Sequence, residues 1–131
     1  MWRHGYTYSG HATVAAAALA NLDILEGMLP GALDLEERLA TALGPLGRHG
    51  LVGEVRTGTG VLGAIQLRAD LVMADPGLPP RVISACRDQG ILTRMLVGNA
   101  IQISPPLMLD DTGVVELVDG LKAALDQCLA E

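Results

Sequence analysis

The chain has 131 residues, half of them apolar and 18% charged, with two Tyr, one Trp and no Phe. That length and balance suit a folded domain with a core of Leu, Val, Ile, Ala and Met, and they exclude a disordered chain. A net charge of −6 argues against general binding to nucleic acid or an anionic membrane, which requires a basic surface that displaces counterions.

Residues 1–10 are an irregular polar lead-in, after which Val14, Ala18, Leu22 and Leu25 recur at helical spacing. Pro30-Gly31 is expected to stop that helix. A second helix is expected with Leu35, Leu39, Leu43 and Leu46 on one face, Asp34 as its cap and Gly44-Pro45 or Gly47 at its end. The period then changes to two. Val52 to Arg56 and Val61 to Leu67 predict antiparallel strands joined by the turn Thr57-Gly58-Thr59-Gly60. Pro76, Pro79 and Pro80 predict a loop and the first turn of a short helix through Cys86 to Gln89, with Gly90 as its C′ residue. Ile91–Leu96 and Ala100–Ser104 predict a second hairpin around Gly98-Asn99. The stripe Val114, Leu117, Val118, Leu121, Leu125, Cys128 and Leu129 predicts a last helix, capped by Asp110 or Thr112. This order predicts an α+β fold, a small mostly antiparallel sheet with helices packed on it.

No uninterrupted apolar run reaches the roughly 18 residues of a bilayer span. No apolar signal core follows Met1, so neither a membrane segment nor a leader is expected. Cys86 and Cys128 fall in helical patterns without a CxxC partner, which predicts buried thiols in a reducing compartment, the cytoplasm.

Thr7, Ser9 and Gly10 stand just before the first long helix, where unpaired N–H groups favour an anion. They are a candidate phosphate site, and the competing reading makes Ser9 or Thr7 a simple N-cap. His4 and His11 share that loop, but no thiol or carboxylate lies at ligand spacing, so no metal is expected.

The run His4-Gly5-Tyr6-Thr7-Tyr8-Ser9-Gly10-His11 resembles the HG(F/Y)TYSGHP signature of class III aminotransferases, especially the omega-amino acid:pyruvate transaminase type. The resemblance continues through the Ala-rich helix, through Val52-Gly53-Glu54-Val55-Arg56 with Gly58 and Gly60, and through Gly98-Asn99 to Ser104-Pro105-Pro106-Leu107. It implies a fold type I enzyme dependent on pyridoxal 5'-phosphate (PLP). By that resemblance, residues 1–30 close the large PLP-binding domain and residues 31–131 form the C-terminal small domain. It implies a dimer in which Thr7 hydrogen-bonds the cofactor phosphate of the neighbouring subunit, Ser9 lies beside it, and Tyr6 walls the neighbour's cofactor and substrate pocket. It also implies that Arg94 grips the substrate carboxylate, since a guanidinium fork matches a carboxylate. Two positions depart from the family pattern: Ala12 replaces the usual proline, and Gly98 follows Arg94 by four residues where many relatives have three.

Transamination needs a Schiff-base lysine that also shuttles the proton. The sequence has one lysine, Lys122, flanked at helical spacing by Asp119 and Asp126, the pattern of a solvated surface pair. Asp23 and Asp34 fall on helical surfaces and do not replace the family's cofactor-pairing aspartate. The resemblance therefore implies a transaminase acting between an amine or amino acid and a keto acid, with this chain beginning after the lysine and inactive alone. The alternatives are a non-catalytic small domain that partners or regulates a full-length aminotransferase, and a small phosphate-binding protein using Thr7 and Ser9.

Overall fold

A computed structural model describes residues 5–130. It divides into two compact units, Met1–Pro30 and Gly31–Glu131. Helix α1, Ala12–Leu43, runs from the first unit into the second. Pro30 therefore does not stop the helix as its sequence suggests, and Asp34 is not a cap. Proline removes one i→i−4 bond and crowds the preceding turn, but Leu35, Leu39 and Leu43 beyond it are buried at helical spacing. Those anchors favour helix on the far side. Asp34, now inside α1, binds Arg38 one turn on, 3.0 Å from its Nε. A 3₁₀ turn, Gly44–Arg48, ends the segment and buries Leu46.

In the second unit, β1 (Val52–Arg56), β2 (Gly63–Leu67), β3 (Met95–Leu96) and β4 (Ala100–Ile103) form one antiparallel sheet in the order β1-β2-β4-β3. A bulge between Val52 and Glu54 explains why β1 does not alternate strictly: the inserted residue shifts the pleat. Ile65, Leu67, Ile101 and Ile103 face one side and are buried. They pack with Leu35, Leu39 and Leu43 of α1, with Val82 and Cys86 of α3 (Leu78–Asp88) and with Leu121 and Leu125 of α4 (Asp111–Leu129). Helices thus cover one face of the sheet, as the α+β expectation requires. Between β2 and α3 lies a helix that periodicity passes over, α2 (Ala69–Ala74). Six residues are too few to display a 3.6-residue repeat.

The caps of the later helices follow their sequence. Asp110 accepts the Gly113 N–H at 2.8 Å and starts α4. At the end of α3, Gly90 has φ +79°, its N–H donates to Arg87 O at 2.9 Å, and the Ile91 N–H donates to Cys86 O at 2.8 Å. That pair of bonds is a Schellman motif, and it needs the left-handed residue that glycine supplies. Cys86 and Cys128 are both buried thiols, and burial pushes the Cys86 thiol up to about 11.

By length and composition alone, the helical segment Ala12–Arg48 is apolar enough to cross a bilayer, an 18-residue window in it having a mean hydropathy of 1.4. It holds no long uninterrupted apolar run, because Asn21, Asp23 and Glu26 interrupt the apolar residues.

Candidate functional site

The residues singled out from the sequence fall into a group in each unit. In the first, residues 5–11 form successive turns. The Ser9 N–H donates to Tyr6 O at 3.0 Å, the Tyr6 N–H donates to Ser9 Oγ at 2.9 Å, and the His11 N–H donates to Tyr8 O at 3.2 Å. Tyr6, Thr7 and Ser9 all lie at the surface. The helix cap is His11, whose Nδ1 accepts the Val14 N–H at 3.3 Å. Neither Ser9 nor Thr7 caps α1, which corrects that competing reading: the Ser9 oxygen is turned back onto its own turn, and the ring nitrogen takes the donor a cap would satisfy. His4 lies outside the described residues. The turn leaves the Thr7 hydroxyl open to solvent.

In the second unit, Arg94 lies one residue before β3 rather than within a strand, as its sequence suggests. The ladder between β3 and β4 ends at Met95↔Ile101. Beyond it the pairing is irregular: the Gln102 N–H donates to Arg94 O at 3.1 Å, and Thr93 Oγ1 donates to Gln102 O at 2.6 Å. Thr93 thus substitutes a hydroxyl for the next ladder bond. In the turn that follows, Val97 is fully exposed and Gly98 and Asn99 have φ +88° and +65°. The turn is clamped from β2 by Gln66 Nε2, which donates to Gly98 O at 2.5 Å and to Asn99 O at 3.1 Å.

Arg94 and Gln102 line two adjoining hollows on the open side of the sheet. One is about 480 Å³ and is also lined by Arg56, Thr57, Leu62 and Leu96. The other, about 360 Å³, adds Leu92, Thr93 and Ser104. Arg94 Nε donates to Gln102 Oε1 at 2.6 Å, and its two terminal nitrogens make no hydrogen bond among the described residues. The contrast with other arginines is informative. Arg38, Arg56, Arg68 and Arg81 each pair with a carboxylate, whereas the partner of Arg94 is a neutral amide. Its charge and its fork remain available to an anion entering the hollow. Sequence reading missed Gln102. The signal was present, because Ile101 and Ile103 face inward and period-two alternation sets Gln102 outward, opposite Arg94.

Lys122 is on the exposed side of α4. Its Nζ lies 2.5 Å from Asp126 Oδ2, so the i+4 pairing expected from the sequence is present.

An α+β unit with helices on one face of a small antiparallel sheet is shared with transaminase structures. The omega transaminase of Pseudomonas jessenii, solved in complex with PMP, superposes on 97% of this chain with a TM-score of 0.83 and 31% identity. A transaminase from directed evolution by ancestral reconstruction covers 99% of the chain at 40% identity, with a TM-score of 0.82. Residues 1–125 match the family described as aminotransferase class-III, and the chain belongs to that family. An adenosylmethionine-8-amino-7-oxononanoate aminotransferase of Nitratidesulfovibrio vulgaris is 37% identical to it over 129 residues, 93% of the chain. A putrescine–pyruvate aminotransferase of Pseudomonas aeruginosa is 33% identical, over 97% of the chain. The chain spans 23% and 29% of the lengths of these two relatives.

Proposed function

We propose that this chain forms the C-terminal part of a PLP-dependent transaminase acting between an amine or amino acid and a keto acid. Residues 1–30 close the large cofactor-binding domain and residues 31–131 form the small domain. The observation that carries this reading is the family match over residues 1–125 together with the open fork of Arg94. PLP, when bound, supplies the electron sink for amino-group transfer. The residues of this chain bind and orient. Thr7 donates a hydrogen bond to the cofactor phosphate of a neighbouring subunit, with Ser9 beside it and Tyr6 as a wall of that pocket. Arg94 grips the substrate carboxylate and fixes the amine's position. The proton-shuttling lysine comes from outside these 131 residues, because Lys122 is held by Asp126. The buried Cys86 and Cys128 thiols support a reducing compartment, the cytoplasm.

The test is reconstitution. With PLP, an amine and pyruvate, the chain alone is expected to transfer no amino group, and activity appears when a lysine-bearing aminotransferase portion is added. In that assembly Thr7→Val weakens cofactor retention, and Arg94→Ala raises KM for the keto acid at least tenfold. Turnover by the chain alone that Lys122→Ala abolishes would overturn the assignment. The single paired lysine also suits a partner or regulatory module of a full-length aminotransferase. On that reading the chain alters the rate of an intact enzyme, and Arg94→Ala leaves KM unchanged.

A further inference from the structure

Gln102 touches the Arg94 segment three times. Its N–H donates to Arg94 O at 3.1 Å, its carbonyl accepts Thr93 Oγ1 at 2.6 Å, and its side-chain oxygen accepts Arg94 Nε at 2.6 Å. The first two bonds fix where the Arg94 backbone sits against β4, and the third fixes how the guanidinium is turned. A guanidinium can meet a carboxylate side-on, through Nε and one terminal nitrogen, or end-on, through both terminal nitrogens. With Nε already engaged, only the end-on approach is open. A neutral amide also achieves this without cancelling the positive charge, unlike the carboxylates that hold Arg56 and Arg81.

We propose that Gln102 is the positioning residue for Arg94, turning its fork so that a carboxylate ligand in the adjoining hollow is bound end-on by an uncompensated charge. This rests on the reading of Arg94 as the carboxylate grip. The residue type at 102 then sets both the geometry and the strength of that grip. A glutamate there keeps the hydrogen bond and neutralises the fork, while a methionine releases Nε and opens the side-on approach.

The experiment uses the full 131-residue chain, with the arginine Nε–H signals followed by NMR during titration with sodium pyruvate. Arg94→Ala identifies the Arg94 signal, and the amide spectrum verifies the fold of each variant. In the unsubstituted chain the Arg94 Nε–H is expected to exchange more slowly than that of Arg48, and to keep its position while pyruvate shifts the terminal nitrogens. Gln102→Glu keeps the slow exchange and, by neutralising the fork, binds pyruvate at least tenfold more weakly, while Gln102→Met separates positioning from charge. Should Gln102→Glu fail to fold, Gln102→Met decides: its Arg94 Nε–H exchanges quickly and moves on adding pyruvate. Fast Nε–H exchange in the unsubstituted chain overturns the proposal, as does a methionine variant whose Nε–H ignores pyruvate. A pyruvate response that Gln102→Glu leaves unchanged removes the role of Gln102 and spares Arg94. No pyruvate response at Arg94 in the unsubstituted chain removes the carboxylate grip itself, and the positioning role with it.

Discussion

Asp126 ties α4 to the loop before β1. Its Oδ2 accepts Lys122 Nζ, and its Oδ1 lies 3.1 Å from His49 Nε2. His49 Nδ1 accepts the Leu51 N–H at 3.2 Å, so its proton must sit on Nε2 and point at Asp126. The Lys122 hydrogen bond is the larger influence holding the Asp126 carboxyl below its ordinary value, opposed by desolvation, with His49 adding to the lowering. A carboxyl whose folded pKa lies below its unfolded value of about 3.9 stabilises the fold above that value, and the stabilisation is lost as pH falls through the folded pKa. Asp126→Asn should therefore lower Tm at pH 7 and pH 5 by similar amounts, and the gap to the parent should close below about pH 4. A gap that widens in acid would show that Asp126 acts in some other way. This residue was legible in the sequence only as half of a surface pair with Lys122. The His49 contact spans 77 positions, and no local spacing reveals it.

At the scale of elements, α3 and α4 meet where the Schellman turn presents Ile91 to Gly120. A Cβ on Gly120 would lie 2.8 Å from Ile91 Cγ1 and 3.5 Å from Gln89 O. In an open helix, replacing glycine by alanine gains about 1 kcal/mol. Here the added methyl meets a branched side chain whose backbone is bonded to Cys86 O, and overpacking of that kind costs about 1–3 kcal/mol. Gly120→Ala should therefore lower the urea midpoint. A rise would mean that Ile91 moves aside without cost. The sequence made the glycine C′ of α3, the Asp110 cap and the two hairpins legible, because each rests on local chemistry. Its failures each have a physical cause. Pro30 and α2 mislead because burial of Leu35, Leu39 and Leu43 overrides a local breaker, and because one short turn shows no period. The role proposed for Arg94 rests on resemblance, since its spacing alone suits a surface charge equally. The outward setting of Gln102 was legible in the period-two alternation, but its meaning depends on which residue lies across the hairpin.

For the whole molecule, the two ends of α1 differ sharply in what surrounds them. Leu39 is 3% exposed and lies in the core, whereas Leu22 is 58% exposed, alongside Leu19, Ile24 and Leu29 on the same stretch. Exposed apolar surface of that extent suits contact with another surface, and the relatives are some three to four times longer than this chain. A bilayer is a poor cover, since Asp23 and Glu26 within the stretch would have to leave water. A protein surface can leave them solvated at its edge. Leu39→Ala should cost the isolated chain about 2–5 kcal/mol, and Leu22→Ala less than about 0.5 kcal/mol. Leu22→Glu should leave the isolated chain's unfolding midpoint unchanged while blocking its association with a lysine-bearing aminotransferase portion, read by size-exclusion chromatography. If Leu22→Ala instead destabilises the isolated chain as much as Leu39→Ala does, the face is already covered by a second copy. The oligomer would then have to be disrupted before any complement could bind.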